Sequence, residues 1–243
     1  LHLSIRRQRQ MCIRDRLEKI SMDILSKVEP RDLRLNANEW VYNSLCQLIL
    51  SGEFVPGISF TFRGIANSFG VSTMPVREAA NRLISEGALD MSEKRRITVS
   101  QMTQSKFDEL KVARLNLEPH LAGLALNHIN SKRLNLLINI DKNLDYAIST
   151  GNVVDYIKYN YQFHFGIYEA GSSPVLLPLV RTLWLRFSPF YRIVAGRAGT
   201  QTMKDFHKSA IDAIKDKDSV ALINAMHSDI LEGMEMLNES LNE

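Results

Sequence analysis

The side chains of this sequence best equipped for chemistry are four arginines, at positions 63, 77, 95 and 96, and a scatter of histidines, carboxylates and amides beyond residue 110. A guanidinium carries a fixed charge and five donors in a planar fork, so it can grip phosphate or read a guanine edge through two hydrogen bonds. Arg63 and Arg77 fall in two successive short helical patterns; each could instead pair on the surface with Glu78 or Glu86. Arg95 and Arg96 end the charged run Ser92-Glu93-Lys94-Arg95-Arg96, which suits either a tip facing phosphate or the minor groove, or a solvated loop. Further on, Asn160 and His164 lie four apart, hence on one face of one helix. His207 and Asp229 come from two later helical patterns. Taken singly, each histidine reads as a hydrogen-bonded core residue before it reads as a ligand.

The elements that must position the arginines lie between Asn36 and Ser100. A helix is expected from about Asn38 to Ser51, with Trp40, Val41, Leu45, Leu48 and Ile49 on one stripe. Val55-Pro56-Gly57 turns the chain, and Ile58 to Phe60 can form a short strand. Thr61 caps a second helix that Gly70 stops, and Ser72 is a good N-cap for a third. Pro75 falls in the first turn of that third helix, where a missing N–H costs little. Its buried stripe is Val76, Ala79, Ala80, Leu83 and Ile84, which leaves Thr73, Met74, Arg77 and Asn81 nearer the outer face. Leu89–Met91 and Ile97–Val99 are short enough to pair as strands around the charged tip. This order outlines a winged helix-turn-helix, a domain that offers one helix to the DNA major groove and a basic hairpin to the adjacent backbone.

Beyond Ser100 the pattern changes to long helices at about 104–129, 131–150, 152–170, 174–195, 203–216 and 218–241. Ser105, Ser131, Asn152, Ser173, Thr202 and Asp218 stand near their starts, and Gly151, Gly171, Gly196 and Gly199 near the breaks. The fold expected is therefore mainly α: a winged helix over 36–100 and an all-α bundle of six or seven helices over 101–243. Residues 1–35 form a tail. Residues 1–16 hold five arginines and one aspartate, a net of +4, which leaves −1 for the rest of a chain whose total is +3. Residues 36–100 carry six basic and six acidic groups, so the case for DNA rests on where charges sit and not on their sum. The string Met-Cys-Ile-Arg-Asp-Arg resembles translated sequencing-adapter read-through; a DNA-binding arm is the alternative, and the native chain is expected to begin near Met22. Cys12 and Cys46 lie far apart and suggest no disulfide, and no apolar run approaches the roughly 18 residues of a membrane helix, so a cytoplasmic location is expected.

Two motifs carry a family resemblance. Ser51-Gly52-Glu53-Phe54-Val55-Pro56-Gly57 resembles the turn of GntR-family transcriptional regulators, and Val71-Ser72-Thr73-Met74-Pro75-Val76-Arg77-Glu78-Ala79 resembles their recognition-helix signature. The helical remainder, with Val112-Ala113-Arg114-Leu115-Asn116-Leu117-Glu118 and Phe163-His164, is similar to the ligand-sensing domain of the FadR/FCD branch. The resemblance implies that Arg63 and Arg77 contact DNA, with Ser72, Thr73 and Met74 beside them and Arg95 and Arg96 on the wing. Thr73 stands where the family often has arginine, and Arg96 where it often has glycine in the hairpin turn. It also implies a divalent metal site: by motif the ligands map to Asn160, His164, His207 and Asp229, a set for Zn²⁺, Ni²⁺ or Mn²⁺ in which the amide is the weak member. His227, two positions before Asp229, points elsewhere. Arg114 matches a family arginine that could clamp an organic acid, with pairing to Glu118 as the alternative, and Arg186 is a second effector candidate.

No nucleophile motif, Gly-rich phosphate loop or paired carboxylate stands in its required context, so an enzyme is not expected. The reading is a DNA-binding regulator, a repressor, that binds its operator as a homodimer and answers to a small organic or sugar acid held in the helical domain, with the divalent metal as its anchor. Two alternatives stay open: a metal-free effector pocket, or a metal-dependent hydrolase or lyase using the winged helix as an interaction module.

Overall fold

A computed structural model of the protein describes residues 23–31, 34, 36–92, 95–198 and 205–242. The basic stretch Leu1–Arg16, Met22, the wing-tip residues Glu93 and Lys94, and the break and cap expected at Gly199 and Thr202 lie outside the described residues. The chain divides into two compact units, Leu1–Ile49 with Glu53–Gln101 and Leu50–Gly52 with Met102–Glu243.

In the first unit α1 (Ala37–Leu50) buries the expected stripe of Trp40, Val41, Leu45, Leu48 and Ile49. Trp40 meets Phe69 edge-on at 5.2 Å, which ties α1 to α2 (Phe62–Phe69). Thr61 caps α2 as expected, its hydroxyl accepting from the Gly64 N–H at 2.9 Å. Gly70 ends it in the left-handed region at φ 64°, where a side chain would be strained. Then α3 (Thr73–Ser85) buries Pro75, Val76, Ala79, Ala80 and Leu83. Ser72 stands at its N-cap position with extended backbone, but its side chain makes no capping bond, contrary to the sequence reading. The strands β1 (Ser59–Phe60), β2 (Leu89–Met91) and β3 (Ile97–Val99) form one antiparallel sheet in the order β1-β3-β2. Leu89 pairs with Val99 and Met91 with Ile97, while Phe60 pairs with Ile97 from the other side.

The wing turn closes through Ser92. Its N–H donates to the Arg96 carbonyl at 2.9 Å, and its carbonyl accepts from the Arg95 N–H at 2.8 Å. Arg95 takes φ 54°, the left-handed conformation, whereas Arg96 does not. The position that asks for glycine is therefore 95 and not 96, one residue from where motif comparison puts it. A side chain there costs about 1 kcal/mol. Arg95→Gly is thus expected to raise unfolding free energy by about that amount in urea titration, with the wing's charge as the loss.

Among the described residues the second unit holds six long helices: α4 (Gln104–Ala125), α5 (Ser131–Thr150), α6 (Val153–Tyr168), α7 (Leu176–Ala198), α8 (Phe206–Asp216) and α9 (Ser219–Asn242). Short 3₁₀ turns, Leu126–His128 and Glu169–Gly171, follow α4 and α6 and take up residues that periodicity alone would assign to those helices. Asn130, Asn152 and Asp205 cap α5, α6 and α8 through side-chain oxygens, and Thr103 caps α4. The caps thus fall at Thr103 and Asn130, a residue or two before the Ser105 and Ser131 expected, because the amide or hydroxyl must reach the N–H three residues on. Gln104 bonds Asn238 and Lys111 pairs with Glu235, while Gly123 lies against Ile223; α4 and α9 therefore run antiparallel. Tyr156 meets Tyr191 and Tyr161 meets Trp184, so α6 and α7 do the same. Phe107, Phe163, Phe187, Trp184, Met226 and Met234 fill the middle. Each such side chain contributes on the order of 1.5–3 kcal/mol by leaving water.

Candidate functional site

On the first unit, α3 exposes Ser72, Thr73, Met74 and Arg77, and α2 exposes Arg63. Met74 is 68% exposed at the start of α3. The Arg77 guanidinium lies over the Phe62 ring at 4.9 Å, which holds it near the N-terminal turns of both helices. The exposed Ser72 hydroxyl is not spent on capping, and a helix N-terminus such as that of α3 suits a backbone phosphate. Arg82 is occupied elsewhere. It stacks on Tyr42 at 3.7 Å and pairs with Glu86 at 3.0 Å, and Glu86 also accepts from the Tyr42 hydroxyl. Burial, with Cys46 and Glu86 beside it, pushes the Tyr42 phenol well above its ordinary range.

Arg96 departs from its expected place at the wing tip. Its Nε donates to the Ser59 hydroxyl at 2.8 Å and its Nη2 to the Ser59 carbonyl at 3.1 Å, so it is half-buried and braces β1 against the hairpin. Arg95 is exposed and projects from the wing.

In the second unit one ligand atom from each of His164, His207 and Asp229 lies within 4.8 Å of the others. They come from α6, α8 and α9, so only packing brings them together. His164 Nε2 is 3.0 Å from Asp229 Oδ2, and His207 Nε2 is 3.6 Å from Asp229 Oδ1. Both imidazoles are buried, and His207 is stacked on Phe163 at 4.0 Å. His207 Nε2 has no hydrogen-bond partner among the described residues. Asn160 is buried one turn before His164 on the same helix. Burial lowers the His164 pKa, and the Asp229 carboxylate only partly offsets this. Burial works against the charge on His207 too, but there Asp229 and Asp141 outweigh it and the net shift is upward. Asp229 itself is desolvated, yet His207 and His164 hold it below the usual carboxylate range.

Two buried nitrogens and a carboxylate converging on a spot with an orphaned ring nitrogen fit a borderline divalent cation. Outer partners of the kind that orient metal ligands are present as well. Asp141 on α5 faces His207 Nδ1 at 3.5 Å, and the Tyr168 hydroxyl is 3.0 Å from His164 Nδ1. Sequence reading missed both. Tyr168 was findable, since it lies four residues after His164 and shares its helix face; Asp141 sits on another helix with no local signal.

The two effector candidates part company. Arg114 is 3% exposed and pairs with Glu118 through Nε and Nη2, lies over Phe187 at 4.1 Å and Trp184 at 4.7 Å, and points Nη1 at the Met234 sulfur. Pairing with Glu118, the alternative to a clamp, is what the fold shows. Glu118, fully buried, also accepts from the Tyr168 hydroxyl and the Trp184 indole N–H, each at 2.9 Å. Arg186 is exposed on α7, two residues past the buried Trp184, so the helix turns it away from this cluster.

Comparison with known proteins agrees with both units. Residues 37–99 match the bacterial regulatory proteins of the gntR family, and residues 109–231 match the FCD domain. The HTH-type transcriptional regulator McbR of Escherichia coli (strain K12) is 28% identical over 182 residues, 73% of this chain and 82% of that protein. The uncharacterized HTH-type transcriptional regulator YdhC of Bacillus subtilis (strain 168) is 30% identical over 124 residues, 51% of this chain and 55% of that one. Among solved structures, E. coli McbR/YncC has a TM-score of 0.78 at 24% identity, covering 84% of this chain and 98% of the other. A putative transcriptional regulator GntR from Rhodococcus sp. RHA1 has a TM-score of 0.67 at 17% identity, covering 83% and 97%. Both structural likenesses speak to the fold. Among the described residues no helix is long and apolar enough to cross a membrane. With a winged helix over 37–99 and an FCD domain over half its length, the chain belongs to the GntR family of bacterial regulatory proteins and is a DNA-binding transcriptional regulator with a C-terminal effector-binding domain, not an enzyme.

Proposed function

We propose that this regulator is a cytoplasmic repressor that grips a pseudo-palindromic operator as a homodimer and is released by a small carboxylate bound beside a divalent metal. The observation that carries the sensing half is the convergence of His164, His207 and Asp229 from three helices within 4.8 Å. These three would hold the cation, with the Asn160 amide as a weaker fourth donor from the same helix face as His164. When bound, the metal supplies an open coordination position for a carboxylate oxygen. Arg114 adds positive charge to the same helical unit; beside its pairing with Glu118, its Nη1 donates to the Met234 sulfur, a weak acceptor that an effector oxygen can replace. For the domains, we assign residues 36–100 to DNA reading and 101–243 to sensing. In the DNA-reading half, Arg63 and Arg77 take phosphate or guanine, Ser72 takes phosphate, Thr73 and Met74 offer methyl groups to thymine, and Arg95 reaches from the wing. Effector binding favours a dimer geometry in which the two α3 helices no longer match the half-site spacing, so the operator is released by population shift.

Metal content tests the sensing half. Protein purified without chelators is expected to carry stoichiometric Zn, Ni or Mn, and His164→Ala to carry none. Zinc at about 100 times its dissociation constant should add about 2.7 kcal/mol to the unfolding free energy of the wild type and nothing to that of His164→Ala. A wild-type protein free of metal and unresponsive to it returns the pocket to the metal-free form.

A further inference from the structure

We propose that Tyr168 and Glu118 are positioning residues of the metal centre, fixing His164 in the tautomer that carries its proton on Nδ1 and leaves the Nε2 lone pair facing Asp229. This inference rests on the metal reading above. Its basis is the direction in which a buried hydrogen-bond chain must run. Glu118 is fully buried and accepts from Arg114 Nε and Nη2 and from the Trp184 indole N–H. Those donors have no acceptor capacity, so the Glu118 oxygens are acceptors throughout. The Tyr168 hydroxyl lies 2.9 Å from Glu118 Oε2 and can meet it only by donating. A hydroxyl has one proton, and this one is spent. Toward His164 Nδ1, 3.0 Å away, the Tyr168 oxygen must therefore accept. Nδ1 carries the proton, and in the neutral ring Nε2 keeps its lone pair.

The consequence falls on the ligand cluster. His164 Nε2 is 3.0 Å from Asp229 Oδ2, a contact of two lone pairs in the neutral ring that either a metal cation or a second ring proton on Nε2 relieves. His207 repeats the arrangement through a different partner. Its Nδ1 faces Asp141 at 3.5 Å, and its Nε2 has no hydrogen-bond partner among the described residues. Each imidazole thus turns its Nδ1–H to an acceptor behind it and its Nε2 to the shared carboxylate. The arrangement on His164 is longer: Arg114 on α4 orders Glu118, Glu118 orders the Tyr168 hydroxyl, and the hydroxyl orders the ring. Arg114 and His164 are in this way the two ends of a chain of four buried side chains, so a carboxylate that draws Arg114 away from Glu118 loosens His164.

The test uses the full chain with zinc as the probe. Zinc affinity is measured by competition with a chromophoric chelator for the wild type and for Tyr168→Phe, with thermal midpoints of both zinc-free proteins alongside. Tyr168→Phe is expected to bind zinc about 10–100-fold more weakly. Independently, long-range ¹H–¹⁵N correlation on the zinc-loaded wild type with ¹⁵N-labelled histidine should show His164 protonated on Nδ1 and ligated through Nε2. A lowered thermal midpoint of Tyr168→Phe with unchanged zinc affinity marks a structural role only and overturns the proposal, as does a proton on Nε2. If Tyr168→Phe does not fold, the wild-type spectrum alone decides. Absence of zinc binding by the wild type overturns the metal reading itself, and the positioning role with it.

Discussion

Arg77→Ala is expected to weaken operator binding by about 30-fold to 10⁴-fold while leaving the fold intact. A bidentate guanidinium contact to a guanine is worth about 1–3 kcal/mol, and the proposed dimer on a palindrome would lose it in both half-sites, about 2–6 kcal/mol together. The structural side of the change is small. Arg77 is exposed, and its stacking on Phe62 is a surface cation–π contact of about 0.5–1 kcal/mol. Affinity and stability therefore separate. Fluorescence anisotropy against the protein's own promoter region, repeated at several salt concentrations, distinguishes two uses of the side chain. Loss confined to some half-site sequences means base reading; uniform loss with a shallower salt slope means phosphate. Unchanged affinity would remove Arg77 from the interface. Arg96→Ala makes the contrast: it removes two bonds to Ser59, so its effect should appear in unfolding before it appears in operator affinity.

Glu118→Ala is expected to cost about 3–5 kcal/mol of unfolding free energy, because it strands the Arg114 guanidinium in a buried site. Domains of this size are stable by only about 5–15 kcal/mol, so the sensing unit should unfold at markedly lower urea or not fold at 37 °C. The Trp184 indole and Tyr168 hydroxyl would lose their acceptor as well. Replacing both charges, Arg114→Met with Glu118→Leu, should recover most of the loss, since an apolar pair of similar volume leaves no buried charge uncompensated. A double mutant as unstable as Glu118→Ala would show that the cluster matters for its hydrogen bonds to Trp184 and Tyr168 more than for its charge.

Much of this was legible locally. Thr61, Gly70 and the alternation of apolar and polar residues in α3 specify the DNA-reading unit because caps, left-handed glycines and helical stripes are decided within a few residues. The Arg114–Glu118 and Asn160–His164 spacings were visible for the same reason: four residues make one turn. Motif likeness reached further, and put His164, His207 and Asp229 in one set across more than 60 residues of chain. It does not reach what a single φ or rotamer decides. Arg95 and not Arg96 carries the positive φ, Arg96 folds back on Ser59, and Arg186 turns to solvent.

The sequence by itself determined that the chain is a winged helix followed by a helical bundle, and that its chemistry would rest on arginines in the first and imidazoles in the second. Those features depend on periodicity and turn chemistry, which are short-range. Only the tertiary structure decided which polar groups meet. Asp141, Tyr168 and Glu118 reach the histidines and Arg114 from other helices or other turns, and the direction of their hydrogen bonds follows from counting donors in a space closed to water. Side-chain partners across helices depend on packing that no local pattern encodes, and in this protein that packing brings His164, His207 and Asp229 together.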